Sequence, residues 1–185
     1  MRKLLIPIVL LVLLVVLMSS SSIAIYTQTQ TLRGQLYMRV FLFSGNERST
    51  SYEFGLSGLA LAPGESEEEL YRFSLANAQS NGNVCDYDMS VSIASSGMAS
   101  ATAAMPGLTF YLYNVSNESS GPIATISSGE LSYSNLYFSA DVSKTVEYKL
   151  TARWDDNGDS KTQTALAKSA SKYPIKIIVT AQGTN

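Results

Sequence analysis

The chain has 185 residues, of which 13 are Lys or Arg and 15 are Asp or Glu, giving a formal net charge of −2. It contains no histidine, which excludes Ser-His-Asp and Cys-His nucleophile systems, two-histidine zinc proteases and His-ligated iron sites. The basic residues are few and scattered, so we expect no nucleic-acid partner, because a polyanion requires a continuous basic surface. Only carboxylate chemistry remains open to an enzyme of this composition.

The first element in chain order is an apolar run over residues 4–18, which follows two basic residues. Its 15 residues are fewer than the roughly 20 that a helix needs to cross a bilayer. Small residues at Ser22 and Ala24 match the positions that a signal peptidase recognises. We therefore predict a signal peptide over residues 1–24, an extracellular location and no membrane attachment after cleavage. Cleavage a few residues earlier and an uncleaved anchor are the alternatives.

Removal of this leader leaves 11 basic and 15 acidic residues, a net charge of −4. The remaining length of about 160 residues suits a single domain with one hydrophobic core, which we place at residues 35–185. Cys85 is the only cysteine, so no internal disulfide can form. We expect Cys85 to be buried as a small apolar residue.

Residues 25–34 are predicted to be a free N-terminal strand and its hinge. β-branched residues occupy alternate positions up to Thr31, a period of two, and no hairpin turn follows. Gly34 is the predicted hinge, because glycine adopts backbone angles that swing two strands apart. The predicted strand consists of Ile25, Tyr26, Thr27, Gln28, Thr29, Gln30, Thr31 and Leu32.

Two fates are open to such a strand. It pairs with its own sheet as an edge strand, or it enters a groove in the next subunit and supplies backbone hydrogen bonds there. Head-to-tail contacts of the second kind do not close on themselves, so they generate filaments.

Short runs with a period of two recur through the rest of the chain, about ten residues apart and separated by Gly, Pro, Asn and Ser clusters. No stretch shows a sustained helical period. This pattern predicts an all-β fold, an antiparallel β-sandwich of jelly-roll type with a protruding N-terminal strand. The predicted strands are 36–43, 52–61, 70–75, 87–93, 108–113, 131–138, 145–154 and 175–181.

Two segments do not fit the strand pattern. Residues 159–172 are rich in Ala and Lys, and Ser160 with Gln163 matches a capping box, so a short helix and a long polar loop are both open. Residues 98–107 are small and nearly uncharged, and we interpret them as a loop that crosses between the sheets.

Five consecutive polar positions resemble a calcium-binding loop. Their spacing does not match an EF-hand, because Gly158 is the fourth residue of the segment rather than the sixth. We predict a turn in which Asn157 and Gly158 supply positive φ, with a looser calcium site as the alternative. No metal or cofactor site is otherwise predicted. The segment consists of Asp155, Asp156, Asn157, Gly158 and Asp159.

Four glutamates follow the turn at Pro63 and Gly64. Glycoside hydrolysis by two carboxylates requires them to face each other across a cleft, whereas neighbours on a loop share solvent. We therefore predict no catalytic residue, and interpret the glutamates as a solvated rim that discourages edge pairing. They are Glu65, Glu67, Glu68 and Glu69.

Asn114 and Asn117 each begin an Asn-x-Ser pattern in a loop that follows a predicted strand, and they are candidate glycosylation sites. Trp154 and the 11 tyrosines are compatible with a sugar-binding platform. On alternating strands, however, such residues are more often core or cross-strand partners.

The order and spacing of several short motifs are similar to those of one known family. After the leader come IYT at 25–27 and GQL at 34–36, and the later motifs follow at matching intervals. The chain thereby resembles the TasA and camelysin family of secreted β-sandwich proteins, which includes biofilm fibre subunits and archaeal bundling pilins. The later motifs are LAPGES at 61–66, YRFSLAN at 71–77, YDMSV at 87–91, LTFYLY at 108–113, YKLTARW at 148–154 and IKIIVTAQ at 175–182.

This resemblance implies a secreted sandwich that polymerises by donating its N-terminal strand to a neighbouring copy. The protease activity ascribed to camelysin is not carried over, because the chain lacks histidine. We therefore expect a non-enzymatic, pilin-like subunit of an extracellular filament, such as a biofilm matrix fibre, without cofactors. Its expected partners are other copies of itself and neighbouring filaments. The alternative is a monomeric cell-surface adhesin or glycan-binding module, and a hydrolase that uses carboxylates alone is the weakest hypothesis.

Overall fold

The computed structural model describes residues 36–42, 49–56, 59, 61–78, 82–169 and 173–184, all within the unit Gln35–Asn185. These residues form nine strands, two α-helices and one 3-10 helix, so the predicted all-β class is confirmed. The signal peptide, the predicted strand at 25–32 and Gly34 lie outside the described residues. The strands are β1 (Leu36–Phe41), β2 (Ser49–Leu56), β3 (Glu68–Ala76), β4 (Met89–Ser96), β5 (Leu108–Asn114), β6 (Ala124–Ile126), β7 (Ser132–Phe138), β8 (Thr145–Trp154) and β9 (Ile175–Gly183); the helices are α1 (Met98–Ala104), the 3-10 helix (Val115–Ser120) and α2 (Ser160–Ser169).

The strands form a five-stranded sheet, in the order β1-β3-β8-β5-β6, and a four-stranded sheet, in the order β2-β9-β4-β7. Their antiparallel pairs are nested: β2 pairs with β9, β3 with β8, β4 with β7 and β5 with β6. This nesting is the jelly-roll arrangement of eight strands, so the predicted topology is confirmed. β1 is a ninth strand that pairs in parallel with β3, with Leu36 opposite Tyr71.

The hydrophobic core lies between the two sheets and is built from alternating positions on the strands. In β4, Met89, Val91 and Ile93 are buried, while the serines between them are partly exposed. Across the core, the ring of Phe54 in β2 lies 5.1 Å from that of Tyr71 in β3. β2 therefore packs directly over β3. The predicted burial of Cys85 and Trp154 is also confirmed.

The start of β9 passes close to two glycines, one on each side of it. A Cβ atom on Gly55 would lie 2.1 Å from the carbonyl oxygen of Ile175, and one on Gly97 would lie 2.1 Å from that of Pro174. Neither distance is tolerable for a real side chain. The two glycines therefore allow β9 to lie between β2 and β4, which joins the four-stranded sheet.

Asn77, at the end of β3, is fully buried and fixes the loop between β7 and β8. Its Nδ2 donates to the carbonyl oxygens of Ser139 and Val142, at 3.1 and 2.9 Å. Its Oδ1 accepts from the amide of Lys144 at 2.7 Å. All three of these contacts are with backbone groups of the loop, so the asparagine side chain satisfies groups that have no partner strand.

The interpretation of residues 98–107 as a crossing loop is wrong, because most of this segment forms helix α1. Met98, Ala101, Thr102 and Met105 recur at helical spacing, and all four are buried against the core. Their burial stabilises a helix of only seven residues. The three-residue strand β6 was not predicted either.

Tyr148 lies in the centre of the core, and its ring stacks on Phe73 with centroids 5.5 Å apart. Within the described part of the chain, its buried hydroxyl has no hydrogen-bond partner, and burial raises its pKa. A buried hydroxyl without a partner destabilises the folded state by about 1–3 kcal/mol.

We predict that Tyr148→Phe raises the free energy of unfolding by about 1 kcal/mol in urea denaturation.

The control is Tyr137→Phe, because Tyr137 is 51% exposed and its hydroxyl donates to Asp88. The free energy of unfolding of Tyr137→Phe should differ from that of the wild type by less than about 0.5 kcal/mol. A loss of stability in Tyr148→Phe would contradict the prediction.

Candidate functional site

Glu65 and Glu67 are exposed ahead of β3, as predicted for a solvated rim, whereas Glu68 is the first residue of that strand. Glu69 lies within β3 and forms a bidentate ion pair with Arg72, at 3.0 and 2.9 Å. Arg72 also contacts Glu147 of β8 at 3.0 Å. Hydrogen bonding to Glu69, and then to Glu147, raises the pKa of Arg72. β3 pairs with β8 from Glu68 onward but with β1 only from Tyr71 onward, so the interpretation as edge protection remains a prediction for Glu68 and Glu69.

Glu67 connects β5 and β8 on the outer face of the five-stranded sheet. It accepts a hydrogen bond from the hydroxyl of Tyr113 at 3.0 Å and another from the hydroxyl of Thr151. The amine of Lys149 lies 5.0 Å from the Tyr113 ring centroid. The charged groups of this face therefore hold neighbouring strands together. In the described contacts neither Glu65 nor Glu68 has such a role, and the Glu65 side chain is exposed.

The segment 155–159 forms the predicted turn. Gly158 has a φ of 82°, and its amide donates to the side chain of Asp156 at 2.9 Å. The amide of Asp159 donates to the side chain of Asn157 at 2.9 Å. The prediction of a turn is confirmed, but positive φ is found at Gly158 and not at Asn157. One side-chain oxygen each of Asp156 and Asn157 accepts from a backbone amide.

The turn leads directly into helix α2, which resolves the choice between helix and loop in favour of a helix. The predicted capping box is wrong, because Asp159 caps the helix by accepting from the amide of Thr162 at 3.1 Å. Hydrogen bonding with Thr162 lowers the pKa of Asp159. Gln163 is 1% exposed, and its Nε2 donates to the carbonyl oxygen of Asp155 at 2.9 Å, which fastens the turn to the helix.

The two candidate glycosylation sites lie where β5 runs into the 3-10 helix Val115–Ser120. Asn114 is the last residue of β5, and its Oδ1 accepts from the amide of Ser116 at 3.0 Å. Ser116 is exposed. Asn117 lies in the first half of the 3-10 helix. Both acceptor patterns therefore remain predictions, on a segment that is open to solvent at Ser116.

Glu130 is a structurally important residue that the sequence pattern does not reveal. Its carboxylate accepts from the amides of Gly97, Met98 and Ala99, at 2.9–3.1 Å, and from the hydroxyl of Ser95 at 2.6 Å. These partners are 31 to 35 positions away in the sequence, so no local motif points to them. Glu130 caps α1 and fastens it to the start of β7.

Within the described ranges, no three Asp, Glu, Cys or His side chains are grouped closely enough to bind a metal ion. None of the helices in that same part of the chain has the length and apolarity to span a bilayer.

No family model and no curated protein matches this chain. A comparison with solved structures finds the structure of infectious bursal disease virus, Gx strain, at 9% sequence identity and a TM-score of 0.25. The match covers 75% of this chain and 38% of that chain. At this TM-score the likeness supports no argument about fold or function.

We predict that calcium does not stabilise the protein, because one side-chain oxygen of each of Asp156, Asn157 and Asp159 already accepts from a backbone amide. The thermal midpoint should be the same, within about 1 °C, after dialysis against EDTA or calcium, whereas an occupied site would raise it by several degrees. Differential scanning calorimetry measures this. A calcium-dependent rise that Asp156→Ala abolishes would contradict the prediction.

We predict that Glu130→Gln lowers the free energy of unfolding at pH 7 by about 1 kcal/mol. Burial acts to raise the pKa of Glu130, but the hydrogen bonds from Ser95 and the three amides outweigh it, so the pKa is lowered. The carboxylate therefore stabilises the folded state at pH values above 4.5, its ordinary pKa. This contribution is lost as the pH falls through the lower pKa of the folded state. The difference in free energy of unfolding between the wild type and Glu130→Gln should become smaller as the pH is lowered.

Urea denaturation at a series of pH values measures the effect of Glu130→Gln. Glu65→Gln is the matched control, since the Glu65 side chain is exposed and its replacement should leave the stability unchanged. An equal loss for both variants, or a loss at Glu130 that does not depend on pH, would refute the capping role.

Proposed function

We propose that this protein is a non-catalytic structural subunit of an extracellular filament. Residues 25–32 of one copy enter a groove in the next copy and complete its fold, which is donor-strand complementation. The observation that carries the proposal is the unequal size of the two packed sheets, five strands against four. The sequence predicts one further strand, at 25–32, so the chain contains a candidate for a fifth strand in the smaller sheet.

The direction of β1 supports this proposal. β1 runs parallel to β3, with Leu36 opposite Tyr71 and Phe41 opposite Ala76. The chain that precedes Leu36 therefore arrives at the end of the sandwich where β3 begins. Residues 33–35 separate this end from the predicted donor strand, and four peptide units extend about 14 Å at most.

The polar contacts favour a structural role over an enzymatic one. With histidine absent, carboxylates are the main candidates for catalytic acids and bases, and several of them hold secondary structure together. Glu67 connects two strands, Glu69 pairs with Arg72 within β3, and Glu130 and Asp159 cap helices. A catalytic carboxylate must instead be free to contact a substrate.

One observation favours the alternative, a monomeric glycan-binding module. Tyr111 and Tyr113 are partly exposed on the outer face of the five-stranded sheet, with ring centroids 6.5 Å apart. Aromatic rings on an open sheet face are suited to stacking on sugar rings, and Lys149 and Glu67 supply polar groups beside them. Under this alternative the exported protein is monomeric, and Tyr111→Ala reduces glycan binding on an array.

The test of the filament proposal is deletion of residues 25–31 from the full chain, followed by electron microscopy of the exported material. We expect regular fibres from the wild type and none from the deletion, because the donated backbone hydrogen bonds are lost. Circular dichroism should show that the truncated protein keeps its β-structure, since the deleted residues precede the jelly roll.

A matched control replaces Gln28 and Gln30 with serine and keeps the β-branched row, and it should still form fibres. Ordered fibres from the deletion variant would reject the proposal. A monodisperse wild type would favour the glycan-binding alternative.

A further inference from the structure

The two sheets have four outer edges, formed by β1 and β6 in one sheet and by β2 and β7 in the other. An edge strand carries unpaired N–H and C=O groups, and proteins usually protect such edges with bulges, charges or very short strands. The edges formed by β7, β6 and β2 differ in how far they are protected against an added strand.

β7 is protected in two ways. Its pairing with β4 shifts register between Val91 and Ile93, so the edge is irregular. In addition, the amine of Lys144 donates to the carbonyl oxygen of Tyr137 in β7 at 3.1 Å. A strand that approached this edge would meet a charged side chain already bound to a backbone acceptor.

β2 is the opposite case. All eight of its residues pair with β9 in one unbroken register, from Ser49 opposite Gln182 to Leu56 opposite Ile175. On its other side, β2 pairs with no strand in the described ranges. β6 is protected by its length, because three residues offer an added strand few hydrogen bonds.

The packing of the sheets leads to the same edge. Phe54 of β2 contacts Tyr71 and Phe73 of β3, with ring centroids 5.1 and 5.2 Å apart, so β2 lies over β3. β1 is one strand farther out than β3 and has no counterpart in the four-stranded sheet. A strand added to the open edge of β2 would lie opposite β1, at the usual separation of about 10 Å between packed sheets, and would make both sheets five-stranded.

We propose that the open edge of β2, Ser49–Leu56, is the acceptor site for residues 25–32 of a second copy of this chain. This inference rests on the proposed filament function and adds the place at which the copies join. Donor and acceptor are each eight residues long. Both also alternate: Tyr52 and Phe54 of β2 turn toward the core while Ser51 and Glu53 are exposed, and the donor has β-branched residues at every second position.

Disulfide trapping in the full chain tests this assignment. Cys85 is replaced with alanine, and a cysteine is placed at Ser51, which is exposed on β2, together with one cysteine at each of positions 27–30 in turn. Neighbouring strands bring paired Cα atoms within disulfide range, so at least one position should give a ladder of disulfide-linked oligomers on a non-reducing gel. In the matched control the cysteine at Ser51 is replaced by one at Ser134, which is exposed on β7, and the cysteine at positions 27–30 is kept. This control should give about ten-fold less oligomer, because cysteines whose Cα atoms are more than about 7 Å apart do not form a disulfide.

Each other outcome overturns the assignment to β2 and has a separate meaning for the filament. A ladder from Ser134→Cys alone places the acceptor at β7 and leaves the filament function standing. If fibres form but neither the Ser51 nor the Ser134 cysteine variants give a ladder, the acceptor lies at β1 or β6. A disulfide within single chains and no fibres means that the strand pairs with its own β2, in which case the filament function fails as well.

Discussion

The four-stranded sheet depends on the close approach of one backbone segment to two glycines. Ile175 begins β9 and Pro174 precedes it, and their carbonyl oxygens occupy the positions that side chains on Gly55 and Gly97 would need. Because β9 pairs with β2 on one side and with β4 on the other, this clearance lets the last strand of the chain join the first and third strands of the jelly roll. The nested pairing of the remaining strands, and the packing of this sheet over the other, follow from that central position.

The loops of this sandwich are held by polar side chains that act over long distances in sequence. Asn77 fixes the connection between β7 and β8, and Glu130 holds α1 against the start of β7. Each side chain satisfies several backbone groups that no strand can reach. With one cysteine, the chain has no disulfide to perform this function, and buried or half-buried hydrogen bonds replace it.

The alternating strands were predictable from sequence, and the features that depend on tertiary contacts were not. The run at 145–154 matches β8 at both ends, because inward and outward residues alternate without a break. β6 has three residues, too few to show a period. The spacing of Met98, Ala101 and Met105 is helical, but the cap that stabilises α1 comes from Glu130, in a distant part of the chain. The Asp-rich turn was predictable from Gly158, whereas the inward direction of Gln163 depends on the completed fold.

The parallel pairing of β1 has a mechanical consequence. Tension applied to the backbone ahead of Leu36, along the axis of β1, loads the pairing with β3 in shear, so the six register positions from Leu36 to Phe41 resist together. In an antiparallel hairpin pulled from its open end, the same bonds would break one after another, as in a zipper. A domain built in this way transmits a stretching force into the middle of its larger sheet, because β3 is itself paired with β8.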